Sequence, residues 1–240
     1  MLFVDRAEGG RRLGAELMRR LPQLHDGDPL VLAIPRGGVP VGYEVARYLD
    51  AALDLFIARK LGAPDHEELG IGAVAPGGTR ILDTDAIRAL GVTDEYIEEV
   101  TRKELAELER RLRRFRGDRP PPRIAGRSVV LVDDGLATGV TALASLTAIR
   151  VEHPRRLVFA APVCSIEGAH TVSRQADDVV CVATPERFFG VGAWYHDFTQ
   201  TSDEEVMELL QQREAEWNTT HSAVSAAAAP RGATTDPGRS

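Results

Sequence analysis

Cysteine is nearly absent: the 240 residues include only two, Cys164 and Cys181. Two are too few for the disulfide framework of a small secreted domain, and their spacing is too wide for a paired metal-ligand motif. Both lie in apolar, strand-like runs, so the expectation is a pair of reduced, buried thiols without chemistry. Long apolar runs are also missing. No segment offers the ~20 apolar residues that a bilayer-crossing helix needs, and Met1 to Arg12 have no apolar stretch behind their basic residues. The expected setting is therefore the cytoplasm, with no membrane partner. Positive charge is in deficit as well: 29 Lys and Arg against 36 Asp and Glu give a formal net charge of -7. That balance argues against a protein that coats nucleic acid, which needs a broad electropositive face. It leaves room for a small, local anion site.

What remains is an ordinary globular mixture, 43% hydrophobic and 27% charged, long enough for one sizeable α/β core. Leu13 and Leu17 stand one helical turn apart within Asp5 to Arg20. Leu30 to Ile34 reads as a buried strand, Pro35-Arg36-Gly37-Gly38 as a loop, Val39 to Leu49 as a helix and Leu53 to Ala58 as a second strand. Together these form a βαβ unit with parallel strands. After a polar stretch from Gly62 to Glu68, Ile71 to Ala75 and Thr79 to Leu82 read as a hairpin. Thr93 to Arg116 reads as a long charged helix with one apolar seam, Thr101, Leu105, Leu108, Leu112 and Phe115, suited to a single neighbour. Its arginine-rich end, Arg110 to Arg116, reads as a solvated face paired with Glu104, Glu107 and Glu109.

Beyond Pro120-Pro121-Pro122 the pattern becomes strand (Ser128 to Val132), helix (Thr141 to Val151), strand (Arg156 to Val163), short helix (about Glu167 to Gln175) and strand (Asp178 to Ala183). The order implies a doubly wound α/β fold with a mainly parallel, five-stranded sheet. A helix over Glu204 to Trp217 closes the domain. The organisation expected is one domain over 1–218, with an insert at about 76–122 and a small hood at about 184–200. Residues 219–240, poor in large apolar side chains, read as a disordered tail.

The most informative stretch runs from Val129 to Thr141: an apolar strand, then Asp133-Asp134, then a small-residue turn into a helix. Carboxylates at a strand's end can accept hydrogen bonds from a ribose diol and suit a magnesium ion carried in with a pyrophosphate. Ala137, Thr138, Gly139, Val140 and Thr141 can turn backbone N–H groups and two hydroxyls toward a phosphate at the helix start. This segment resembles the PRPP-binding motif of type I phosphoribosyltransferases at all thirteen positions, and the likeness extends from about Leu30 to Gln200.

The resemblance implies specific roles. Asp133 and Asp134 would hold the ribose and, through the substrate, Mg2+; Ala137 to Thr141 would hold the 5′-phosphate. Arg36, Gly37 and Gly38 occupy the place of the pyrophosphate loop, and Lys60, in preference to Arg59, the place of a pyrophosphate-directed cation. Gly62 to Gly70, with Asp65, His66 and Glu67, matches the mobile catalytic loop. Phe188, Phe189 and Val191 fall in the hood that holds the acceptor base, without the lysine of the hypoxanthine-type pattern. The activity implied is phosphoribosyl transfer from PRPP to a small heterocyclic acceptor, in a homodimer. The alternative is a PRPP- or nucleotide-sensing regulator on the same fold.

Overall fold

The computed structural model describes residues 2–64, 66–117 and 119–227. Five strands, β1 (Leu30–Ala33), β2 (Ala52–Leu55), β6 (Ser128–Val132), β7 (Arg156–Val163) and β8 (Asp178–Ala183), form a parallel sheet in the order β2-β1-β6-β7-β8. β1 and β6 are buried along their whole length, as strands covered on both faces must be. Their side chains nevertheless divide with the two-residue period of a strand. Leu30, Leu32, Val129 and Leu131 turn to the face covered by α5 (Val140–Val151), where they meet Leu146 and Ile149. Val31, Val130 and Val132 turn to the other face, against Leu13 and Leu17 of α1 (Arg6–Arg20) and Val41 and Val45 of α2 (Gly38–Tyr48). From β1 the chain winds outward to β2; from β6 it winds the opposite way through β7 and β8. The crevice between β1 and β6 is thus the point where strand order reverses, the usual ligand position in such sheets.

A second sheet is antiparallel, ordered β3-β4-β5 from β3 (Arg59–Ala63), β4 (His66–Val74) and β5 (Arg80–Leu82). Here the structure corrects the sequence reading. The second strand of the βαβ unit ends at Leu55, and Arg59 and Lys60 belong to β3 of the other sheet. The polar stretch from residue 62 is a register-shifted hairpin in which Ala63 pairs with His66. Asp65 lies outside the described residues, as do the side chains of Glu67 and Glu68.

After β5 come α3 (Thr84–Leu90), which the sequence reading omits, and α4 (Asp94–Arg116), which begins where Thr93 Oγ1 accepts from the N–H of Tyr96 at 3.3 Å. The seam of α4 serves two neighbours rather than one. Ile97 and Leu105 pack on Leu61, Ile71 and Val74 of the small sheet. Leu108, Leu112 and Phe115 pack on Val206 and Leu210 of α7 (Asp203–Ala227). α7 runs past Trp217, so the tail expected from residue 219 begins in helix; residues 228–240 lie outside the description.

The cysteines differ from expectation too. Both are buried, but Cys164 and Cys181 are joined as a disulfide across a Cα separation of 6.1 Å. The parallel pairing of β7 with β8, Ala161 opposite Cys181 and Val163 opposite Ala183, brings them together. No helix among the described residues is long and apolar enough to cross a membrane.

Candidate functional site

The acidic pair stands where β6 leaves the sheet at the reversal point. The N–H of Asp133 still donates to Ala160 of β7 at 3.3 Å, and the N–H of Asp134 donates to Asp133 Oδ1 at 2.8 Å. The loop from β1 packs directly on this pair. A Cβ on Gly37 would fall on the Asp134 carboxylate, and one on Gly38 would crowd Val132 O and the Asp133 backbone. Only glycine permits this approach. The Pro35-Arg36 peptide preceding these glycines is cis.

Two carboxylates this close, sunk at the foot of a crevice, resist ionising. Burial, then the neighbouring charge of Asp134, pushes Asp133 well above the usual carboxylate range; burial raises Asp134 as well. Arg6 opposes both shifts. Its Nε lies 2.8 Å from Asp134 Oδ2, its Nη1 donates to Thr199 O at 2.7 Å, and its guanidinium covers the Phe198 ring at 3.9 Å. Asp5, which caps α1 by accepting from the N–H of Glu8 at 2.7 Å, sets Arg6 as the first helical residue. Sequence reasoning missed Arg6: its one local signal, a cap followed by a cation, places it at a helix start and says nothing of a partner 128 positions away.

Past the pair, the chain forms the entry to α5. Gly139 adopts φ 78° and α5 starts without any side-chain cap, so its first N–H groups lack intrahelical partners. Ala137, Thr138, Val140 and Thr141 are exposed there, Val140 by 58%. The turn rests on α6 (Ile166–Val172): the Ser165 hydroxyl donates to Ala137 O, and Gly168 has no Cβ because Ala137 O fills the space. The result is an open, uncapped helix start on a fixed base, a geometry that suits an anion.

Lys60 and Thr141 line one cavity of about 880 Å³ between the small sheet and α5. Arg59 turns instead to Glu104 of α4 in an ion pair. Arg36 lies in the glycine loop, but its guanidinium reaches toward Asp203, Nη1 to Oδ1 3.4 Å.

The hood sits on the acidic turn. The Tyr195 hydroxyl donates to Asp134 O, and Val191 fills the space against Gly135. Burial drives the Tyr195 phenol far above its ordinary pKa, so it remains a hydrogen-bond donor. Phe188 and Val191 complete an apolar cluster with Phe3 and Tyr195, whereas Phe189 is 83% exposed. Of the three predicted base contacts, Phe189 alone offers a largely free ring face.

Replacing Arg6 with glutamine removes the cation opposing protonation of the pair, so both carboxyl pKa values should rise further. Affinity for a magnesium-bound anion would then fail at a higher pH than in the wild type as the solution is acidified. The acid limb of a binding-versus-pH curve reads this; an unmoved limb would reduce Arg6 to a tie between helix and hood.

Residues 6–196 match the phosphoribosyl transferase domain family. Two Mycobacterium tuberculosis proteins, from strains CDC 1551 / Oshkosh and H37Rv, are provisionally named phosphoribosyl transferases. Each is 44% identical to this chain over 211 residues, which is 88% of this chain and 47% of the relative. The chain thus spans about half the length of the curated relatives it matches. The crystal structure of a Thermus thermophilus protein, 40% identical, superposes with a TM-score of 0.78 over 88% of this chain and 99% of that one.

Proposed function

We propose that this chain, which belongs to the phosphoribosyl transferase family, transfers the phosphoribosyl group of PRPP to a nitrogen of a small heterocyclic base. The observation that carries the reading is the juxtaposition at the strand reversal. An acidic pair, a glycine loop pressed against it and an uncapped helix start lie side by side, as a molecule with a diol, a diphosphate and a terminal phosphate requires.

In this reading the N–H groups of residues 138 to 141 and the Thr138 and Thr141 hydroxyls hold the 5′-phosphate. Asp133 and Asp134 accept from the ribose hydroxyls and fix the sugar. The C1′–oxygen bond breaks with its electron pair going to pyrophosphate, a C1′–nitrogen bond forms, and the acceptor nitrogen's proton passes to solvent. The backbone N–H group at Gly37, with Lys60 and with Arg36 once it leaves Asp203, would face the charge that develops on the leaving group. Phe189 offers a face on which a planar acceptor can stack.

The donor set fits magnesium that arrives with its substrate. Among the described residues there is no cluster of three or more His, Cys, Asp or Glu side chains able to hold a metal; the pair supplies carboxylate oxygens, and diphosphate oxygens and water would complete the shell. Bound there, Mg2+ would neutralise charge on the departing pyrophosphate.

The test is calorimetric titration with PRPP, with and without magnesium, followed by a pyrophosphate-release screen of nucleobases. Magnesium-dependent binding plus release with one base is expected. Binding without release would favour a sensor on the same fold, and absence of binding would remove the reading.

A further inference from the structure

The chain is acidic overall, yet four arginines line one cleft beside the acidic site. Where the last turns of α4 meet the Pro35-Arg36 turn and the start of α7, Arg36, Arg110, Arg111 and Arg114 line a cleft of about 290 Å³. Asp203 is the one carboxylate in the lining and serves two of these arginines. Its Oδ1 lies 3.4 Å from Arg36 Nη1, and its Oδ2 lies 2.8 Å from Arg114 Nη2. Glu107, outside the lining, takes Arg110 at 2.8 Å and Arg111 at 2.9 Å, and Glu204 lies 3.8 Å from Arg114. The Asp203 side chain is only 19% exposed, against 50% for Arg114 and 63% for Arg110.

Surface ion pairs of this kind contribute only about 0–1 kcal/mol each, and that small gain requires no hollow. Here four guanidinium groups surround a concavity with one carboxylate inside it, and a guanidinium fork matches the oxygen spacing of a phosphate. The Nε–Nη2 fork of Arg110 is held by Glu107, so Arg110 meets an anion through its remaining edge or by exchanging that partner. The volume lies just below the range of drug-sized ligand pockets, roughly 300–1,000 Å³, which suits a diphosphate better than a whole nucleotide. The cleft also shares Arg36 with the glycine loop beside the acidic pair.

We propose that this cleft binds a diphosphate, which displaces Asp203 from Arg36 and Arg114. The proposal rests on the function above only for the ligand's source: pyrophosphate released at the adjoining loop, the other candidate being the diphosphate of a nucleotide. Arg110 and Arg114 then grip the departing anion, and Asp203 recovers the arginines once it has gone.

The experiment is calorimetric titration of the full chain with inorganic pyrophosphate and, separately, with GDP, for wild type, Arg110→Gln/Arg114→Gln and Asp203→Asn. The double variant should weaken pyrophosphate binding about tenfold or more, equivalent to at least ~1.4 kcal/mol. Asp203→Asn, which removes the competing anion, should tighten it. The opposite signs separate ligand loss from misfolding, which thermal melts check directly. Tighter GDP binding with the same arginine dependence would support the site and name a nucleotide as its source. Pyrophosphate affinity unchanged in the double variant, or weakened by Asp203→Asn, would overturn the proposal. Should PRPP fail to bind while pyrophosphate binding still depends on the arginines, the proposed function falls and the cleft stands.

Discussion

Asp134→Asn is expected to leave the fold intact and lower phosphoribosyl transfer by about 10²–10³, the usual cost of removing one electrostatic contact made to a reacting group. Steady-state kinetics with saturating PRPP and magnesium give the number; near-normal turnover would sink the assignment of the pair. The neighbouring substitution carries a second, opposite signature. Burial raises the pKa of Asp133 above its ordinary value. The folded state therefore binds this proton more tightly than the unfolded chain does, and its stabilising effect is lost as pH rises from the unfolded pKa through the folded one. Above that window the ionised pair destabilises the empty protein. Asparagine cannot ionise and keeps the Oδ1 that accepts from Asp134 N–H. Asp133→Asn should accordingly raise the melting temperature near neutral pH, by about 2–4 °C if the gain is ~1 kcal/mol, while losing PRPP binding. At acid pH, where the wild-type pair is protonated, the stability gain should vanish. A melting temperature unchanged or lowered near neutral pH would mean that the pair is not strained by its own charge.

Gly37→Ala is expected to be nearly as damaging to activity although it adds one methyl group. The new Cβ has no space except that of the Asp134 carboxylate, so the acid must swing aside or the loop must lift. A displacement of about 1 Å at a positioned group commonly costs ~10² in rate. The loss should appear in kcat/KM, with melting behaviour close to wild type because the strain can be relieved into the open crevice. Alanine tolerated with full activity would show that the loop and the acidic pair need not touch during the reaction.

The local and the distant parts of this site differ in how far they can be read from sequence. Val129 to Thr141 is legible because strand, acids, turn and helix start are contiguous, and each residue type states its own constraint. The helical seam of α4 follows from the same logic. Features that depend on register or distant packing are not legible. Cys164 meets Cys181 only once β7 and β8 align. Arg6 meets Asp134, and Asp203 meets both Arg36 and Arg114, through contacts that no spacing rule encodes. The pairing of Ile71 to Ala75 with Thr79 to Leu82 is legible and stands as β4 with β5, but the strand pairing of residues 59–70 is masked by glycine, proline and clustered acids.

The pairing of the chain's opening residues with the hood bears on how the site is made. Leu2 and Phe3 donate to Trp194 O, and His196 and Asp197 donate back to Phe3 O and Val4 O. These contacts join segments almost at opposite ends of the described chain, so they carry high contact order and a large closure entropy. During synthesis, residues 2–4 find these partners only after residues 194–197, and with them all five strands of the sheet, have emerged. The roof of the crevice is therefore laid late, over a sheet whose five strands have all emerged before it.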